Sequence, residues 1–233
     1  MIRKHIPNAI TCLNLVSGCI AIVFAFQGDY TNAAYLIALA AIFDFFDGFA
    51  ARLLKAYSPL GKELDSLADV VSFGVAPGVM LFSFLTDLSF ATDNSEYLAY
   101  FAFLIPVFSA LRLAKFNIDE RQTSTFIGLP TPANALFWAF GISSSFEYLL
   151  DTTLDPLVVV FVTIIFSWLL ISNLPMFALK FKHYKWMGNR LRYYFLAGCL
   201  LFIILLGISG LSACIIWYIA LSVFSFRFEK RRA

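Results

Sequence analysis

Four aspartates lie close together in the sequence, within and between strongly apolar segments. Asp44 and Asp47 are three residues apart, and Asp65 and Asp69 are four apart. Either spacing places a pair on one face of an α-helix. If the two faces meet, two carboxylates about 5 Å apart repel by roughly 3 kcal/mol at an effective dielectric near 20. Two divalent cations would neutralise the four charges, and an all-oxygen ligand set favours hard ions such as Mg²⁺, Ca²⁺ or Mn²⁺.

The composition identifies the setting in which these acids must work. The chain has 233 residues, of which 61% are hydrophobic and only 14% are charged. A soluble domain of this length carries far more charge, so the sequence predicts an integral membrane protein. The formal net charge of +2 is too small to suggest binding to nucleic acid.

Eight apolar runs approach or exceed the roughly 20 residues that a membrane-spanning helix needs. They cover residues 9–26, 30–54, 68–85, 97–116, 132–150, 156–181, 193–207 and 211–226. The last two runs are joined by Gly207-Ile-Ser-Gly210, which is typical of a tight turn. We therefore predict an all-α membrane protein with about eight transmembrane helices.

The distribution of charge predicts how these helices are oriented. With eight spans, all 17 Lys and Arg residues fall on one side, and the loops of the other side carry acidic residues without a basic one. The positive-inside rule makes the basic side cytoplasmic. Both termini and the aspartates would then lie at the cytoplasmic face of the cell membrane, with the multi-pass protein's active site open to the cytoplasm. The basic segment 180–192 would lie on anionic lipid headgroups.

The aspartates belong to a longer pattern, D-x-x-D-G-x-x-A-R-x8-G-x-x-x-D-x-x-x-D. It is matched by Asp44, Asp47, Gly48, Ala51, Arg52, Gly61, Asp65 and Asp69. This pattern resembles the signature of the CDP-alcohol phosphotransferases. Those membrane enzymes move a substituted phosphate from a CDP-alcohol to a second alcohol and release CMP.

The resemblance implies a role for each matching position. Asp44, Asp47, Asp65 and Asp69 match ligands of two divalent metal ions, Mg²⁺ or Mn²⁺. Asp69 also matches the catalytic general base that takes the proton of the acceptor hydroxyl. A metal pair would polarise the phosphoryl group and stabilise the leaving CMP oxygen.

Further positions match contacts to the CDP moiety. The small residues Gly48, Ala51 and Gly61 would let a bulky nucleotide approach the backbone. Arg52 and Ser58 match contacts to the nucleotide or its pyrophosphate, for which a guanidinium is well suited. In the segment Pro7-Asn8-Ala-Ile-Thr11, Asn8 and Thr11 resemble residues near the nucleotide, although a simple helix start explains them equally well.

Residues 69–78, 111–117 and 126–135 resemble the branch of the family that makes phosphatidylserine. This implies CDP-diacylglycerol and L-serine as substrates. Arg112 or Lys115 could bind the serine carboxylate, and Asn117 or Asn134 could add hydrogen bonds. Alternatively, Arg112 and Lys115 are only the basic residues of a cytoplasmic loop. Segment 126–135 is rich in Gly and Pro, cannot be helical throughout, and is expected to cover the acceptor pocket.

Two other functions remain open at this point. Another acceptor, such as glycerol 3-phosphate or an inositol phosphate, would favour a denser basic pocket. An ion transporter would often show inverted repeats and acids near the midplane, and neither is evident in the sequence.

We expect a single domain over residues 1–233. Its catalytic core would cover about 6–181, with an additional helical hairpin at about 193–226. The resemblance implies a homodimer.

Overall fold

A computed structural model describes residues 5–92, 95–118, 126–151, 155–177, 179, 186 and 189–230. Apart from one pair of two-residue strands, the regular structure in these ranges is helical. The α-helices are α1 (His5–Phe26), α2 (Tyr30–Leu53), α3 (Pro59–Asp69), α4 (Ala76–Ala91), α5 (Leu104–Ile118), α6 (Thr131–Asp151), α7 (Pro156–Ile171), α8 (Arg190–Leu206) and α9 (Gly210–Lys230). A π-helix (Val70–Val75) joins α3 to α4, and 3₁₀ segments (Glu96–Phe103 and Gly207–Ser209) precede α5 and α9.

The lengths of the helices confirm a multi-pass membrane protein. Within the described residues, five stretches are long and apolar enough to cross a bilayer. They are His5–Phe26, Tyr30–Leu53, Pro59–Ala91, Glu96–Ile118 and Arg190–Phe226, and α7 is a shorter apolar helix. The last stretch contains α8 and most of α9. Each of the eight predicted apolar runs overlaps at least one helix. The all-α class is confirmed, whereas the count of eight spans and the side of the termini stay predictions.

One predicted run is longer than the helix that it forms. The run 156–181 yields α7, which ends at Ile171, and Ser172 already has an extended backbone. Pro175 follows in strand β2 (Pro175–Met176), and a helix usually ends before a proline because its ring clashes with the preceding turn.

The predicted irregular stretch before α6 pairs with this extended segment. Strand β1 (Phe126–Ile127) runs antiparallel to β2. Gly128 follows with φ +79, and a Cβ there would lie 2.5 Å from the carbonyl oxygen of Leu170. Only glycine fits so close an approach at a positive φ. The stretch is therefore partly non-helical, as the sequence predicts, and it lies against the end of α7.

Helix α1 packs closely against the π-helix. At Gly18, an added Cβ would lie 2.4 Å from Ser72 Oγ and 2.7 Å from Ser72 Cα. The Ser72 hydroxyl also donates a hydrogen bond of 3.0 Å to the carbonyl oxygen of Asn14. Small residues allow two membrane helices to approach in this way. This contact fixes α1 against the segment that directly follows Asp69.

Replacing Gly18 with alanine should therefore destabilise the protein, because the new methyl group overlaps the backbone of Ser72. Overpacking of this kind costs about 1–3 kcal/mol. The measurement is the midpoint of thermal unfolding of the purified protein in detergent. Gly141→Ala is the matched control, since a Cβ there meets Ser212 at an ordinary 3.5 Å. Equal midpoints for the two variants would contradict the close contact.

Candidate active site

Three of the four predicted metal ligands meet in the structure. Asp44 and Asp47 lie in the second half of α2, and Asp65 lies in α3. One carboxylate oxygen from each residue lies within 4.8 Å of the others. Asp47 is 5% exposed, and the other two are half-buried. The two helical faces therefore bring their charges together, as the spacing suggests.

Asp69 lies outside this group of three but remains in the same electrostatic environment. It is buried at the end of α3, where the π-helix begins. Its carboxylate interacts electrostatically with the three other aspartates and with the guanidinium of Arg112. Asp69 therefore interacts with both the acidic cluster and a buried cation.

Helix α1 holds two of these carboxylates by hydrogen bonds. Thr11 Oγ1 donates to Asp47 Oδ2 at 2.7 Å, and one turn later Asn14 Nδ2 donates to Asp69 Oδ1 at 3.3 Å. Thr11 was predicted as a nucleotide contact, and here it is a partner of an acid. Asn14 was missed by the sequence reasoning. Its position three residues after Thr11 in an apolar helix could have identified it.

The acidic cluster fits a divalent cation. Asp65 Oδ1 is buried, and it has no hydrogen-bond partner within the described part of the chain. Unpartnered carboxylate oxygens that crowd against two other carboxylates are the ligands that hard cations prefer. The donor set is made entirely of oxygen, as the sequence predicts for Mg²⁺ or Mn²⁺.

A cavity of about 220 Å³ opens beside this cluster. All seven residues predicted to contact the nucleotide line it, and so do Asp47 and Asp65. The sequence reasoning did not include Pro7, Ala56, Tyr57 and Lys62, which also line the cavity. The acidic cluster and the cavity therefore share a wall.

The start of α3 shapes one side of the cavity. Ser58 caps this helix, since its Oγ accepts a hydrogen bond of 3.0 Å from the backbone N–H of Gly61, and Pro59 follows as the first helical residue. A Cβ at Gly61 would lie 3.0 Å from Asn8 Oδ1. The absence of a side chain at Gly61 thus leaves room between α1 and the positive end of the α3 dipole, where anions bind well.

The opposite wall of the cavity is formed by the last turns of α2. A Cβ at Gly48 would meet no atom within 3.4 Å, and its nearest neighbour would be the guanidinium of Arg52 at 3.8 Å. Arg52 is itself exposed. The backbone at Gly48 is thus open to a ligand, and an exposed guanidinium lies beside it.

Two of the predicted acceptor residues, Arg112 and Asn134, are buried. Arg112 Nη1 donates to Thr131 Oγ1 at 2.9 Å, while Arg112 Nε has no partner in the described structure. The guanidinium carbon lies 6.0 Å from the ring centroid of Phe116. Asn134, one turn after Thr131, is fully buried, and neither polar atom of its side chain has a partner among the described residues.

The other two predicted acceptor residues point elsewhere. Lys115 Nζ donates to the carbonyl oxygen of Ile171 at 3.4 Å and to Asn173 Oδ1 at 3.3 Å. Asn117 Nδ2 donates to Ser66 Oγ at 2.8 Å. These bonds tie the end of α5 to α3 and to the end of α7. The structure therefore separates Lys115 and Asn117 from the buried pair.

Comparison with known proteins gives a consistent family. Residues 4–144 match the model of the CDP-alcohol phosphatidyltransferase family. A CDP-diacylglycerol–serine O-phosphatidyltransferase of Bacillus subtilis (strain 168) is 35% identical over 183 residues, which cover 78% of this chain and 92% of that protein. Proteins of the same name from Helicobacter pylori (strain ATCC 700392 / 26695) and Methanocaldococcus jannaschii are 32% and 37% identical. Those matches cover 77% and 67% of this chain, and 74% and 71% of the relatives.

The family match covers α1 to α6 up to residue 144, the segment that carries all four aspartates, the cavity and the buried Arg112. The resemblance read from the aspartate pattern is thereby confirmed. The chain belongs to the CDP-alcohol phosphatidyltransferase family.

Proposed function

We propose that this protein transfers the phosphatidyl group from CDP-diacylglycerol to the hydroxyl of L-serine, giving phosphatidylserine and CMP. The observation that carries the proposal is the wall shared by the acidic cluster and the cavity, formed by Asp47 and Asp65. A CDP group bound in that cavity has its phosphates next to the carboxylates. The names of the relatives support serine as the acceptor.

The cavity would bind the CDP moiety through groups that match its chemistry. Arg52 and the N-terminal turn of α3 offer donors to the pyrophosphate. Gly48 and Gly61 leave the backbone accessible to the cytidine, and Asn8 and Ser58 add polar contacts at the rim. The diacyl chains would extend into the bilayer.

Asp44, Asp47, Asp65 and Asp69 would hold two divalent cations, Mg²⁺ or Mn²⁺. When bound, such ions polarise the phosphoryl group and stabilise the negative charge on the leaving oxygen of CMP. The carboxylates must be held in place for this, and the hydrogen bonds from Thr11 and Asn14 orient two of them. Thr11 and Asn14 thus act on the reaction through the acids.

The transfer step then needs a base and an oriented hydroxyl. Asp69 would take the proton of the serine hydroxyl, and the serine oxygen would form a bond to the lipid-proximal phosphorus. The bond from that phosphorus to the CMP oxygen breaks, and the electron pair leaves with CMP. In-line phosphoryl transfer depends mainly on such positioning and on charge stabilisation.

Arg112 and Asn134 are the acceptor-binding residues that the geometry favours. Arg112 is buried and within the electrostatic range of Asp69, so its guanidinium can bind the serine carboxylate. Lys115 and Asn117 instead hold the end of α5. A phosphate dianion would favour a denser basic pocket than one buried guanidinium provides, which argues against glycerol 3-phosphate and inositol phosphates.

We propose a single domain over residues 1–233 with eight spans and both termini in the cytoplasm. The active site would lie at the cytoplasmic face, since this arrangement collects all 17 basic residues on one side. The core would cover about 6–181, and the hairpin at about 193–226 would pack beside it. A homodimer and contacts of segment 180–192 with anionic lipids complete the proposal.

The direct test is release of CMP by the purified protein. With CDP-diacylglycerol, L-serine and Mg²⁺ or Mn²⁺, we expect CMP and phosphatidylserine in equal amounts. Glycerol 3-phosphate and inositol phosphates should neither replace serine nor compete with it. If serine does not increase the release of CMP with either metal, the assignment is wrong. Metal flux without CMP release would favour a transporter.

Asp47→Asn changes a proposed metal ligand and should strongly reduce the rate of CMP release. The reduction should exceed the roughly 10–100-fold that is typical when a residue hydrogen-bonded to a metal ligand is lost. Thr11→Val removes such a hydrogen-bond partner while keeping the shape of the side chain at the cavity wall, so it should fall within that range and raise the metal concentration required. The measurements are CMP release and its dependence on Mn²⁺. Asp155→Asn is the control, because asparagine also caps the exposed start of α7. Full turnover by Asp47→Asn would refute the metal role.

A further inference from the structure

Asn14 has a buried oxygen without a partner. The residue is fully buried in α1, and its Nδ2 donates to Asp69. Since an ionised carboxylate can only accept hydrogen bonds, the amide nitrogen must face Asp69, and the carbonyl oxygen must point away from it. Asn14 Oδ1 finds no donor among the described residues. Buried polar atoms without partners are uncommon in proteins and call for an explanation.

The surroundings of Asn14 suggest what this oxygen binds. Asp69 accepts the hydrogen bond of the Asn14 amide and interacts electrostatically with the guanidinium of Arg112. Arg112 Nε is a buried donor that also lacks a partner in the described structure. Asp69 thus links a free acceptor in α1 to a free donor in α5.

We propose that Asn14 Oδ1 accepts a hydrogen bond from the ammonium group of the serine acceptor. The inference rests on the proposed function, in which the hydroxyl of serine meets Asp69 and its carboxylate meets Arg112. Neither of these two contacts involves the ammonium. It is a pure donor, so it requires an acceptor, and Asn14 Oδ1 is a buried acceptor on the side chain that holds Asp69.

This contact would select among acceptor alcohols. A phosphate group offers acceptor oxygens, which find no donor at Asn14 Oδ1. An amino acid gains a hydrogen bond at the same point. Asn14 is therefore a specificity-determining residue as well as the positioning residue of Asp69.

The test compares kinetic constants of the wild-type protein, Asn14→Ala and Asn14→Ser at saturating Mn²⁺. Loss of a hydrogen bond to a charged group should raise the KM for L-serine roughly tenfold or more. The KM for CDP-diacylglycerol should not change. The inhibition constant of 3-hydroxypropanoate, which has the hydroxyl and the carboxylate of serine but no ammonium, should also stay the same.

Ser17→Ala is the matched control. Ser17 lies one turn further along the same face of α1, and its hydroxyl donates to the carbonyl oxygen of Leu13 at 2.8 Å. This variant should keep the wild-type KM for serine. If 3-hydroxypropanoate inhibits neither the wild-type protein nor the Asn14 variants, the test rests on the KM values alone. The ratio of the KM for serine to the KM for CDP-diacylglycerol should then be higher in the Asn14 variants.

Three outcomes would overturn the inference. They are an unchanged KM for serine, an equal rise in the 3-hydroxypropanoate constant, and a rise in the Mn²⁺ requirement without an effect on serine. The last outcome would assign the oxygen to the metal site. A wild-type protein that releases no CMP with serine would instead refute the proposed function, so the two failures are distinguishable.

Discussion

The crowding of carboxylates inside an apolar helical protein is the constraint on which the rest of the structure depends. An ionised aspartate at the centre of a membrane helix costs roughly 2.5–3.5 kcal/mol on insertion scales. Here three such groups lie within 4.8 Å of one another, and Asp69 lies in the same field. An arrangement of this kind is stable only if cations or hydrogen bonds compensate the charge. Thr11 and Asn14 supply hydrogen bonds to two of the acids, and the cluster of three is compatible with a bound metal ion.

The neighbouring elements are arranged around this requirement. Helix α1 carries Thr11 and Asn14 one turn apart, and each donates to a different aspartate. The close contact of Gly18 with Ser72 keeps α1 against the π-helix, which begins directly after Asp69. π-Helical turns are rare and occur frequently at functional sites. The packing of the bundle therefore determines the position of Asp69.

Much of this arrangement could be predicted from the sequence because it depends on local spacing. The i,i+3 and i,i+4 pairs of aspartates define helical faces, and the long apolar runs define the helices. The π-helix could not be predicted, because the segment Val70–Val75 is apolar without a period that distinguishes it from an α-helix. The pairing of the extended segment after α7 with residues 126 and 127 is a long-range contact that local spacing does not show.

The acceptor residues show where sequence reasoning stops. Arg112 and Lys115 are three residues apart in α5, and both looked suitable for a carboxylate. In the structure, Arg112 turns inward to Thr131, whereas Lys115 reaches the end of α7. Contacts with residues that are distant in the sequence determine these two side-chain orientations. Asn14 was overlooked for a related reason, since its spacing from Thr11 indicates a shared helical face but not that Asp69 is its partner.

Diffraction from crystals of the full chain grown with Mn²⁺, recorded at the manganese absorption edge, would show whether the clustered carboxylates bind metal. We expect anomalous peaks bordered by the carboxylates of Asp44, Asp47 and Asp65. Peaks elsewhere, or carboxylates that face separate cavities with no manganese between them, would contradict this expectation.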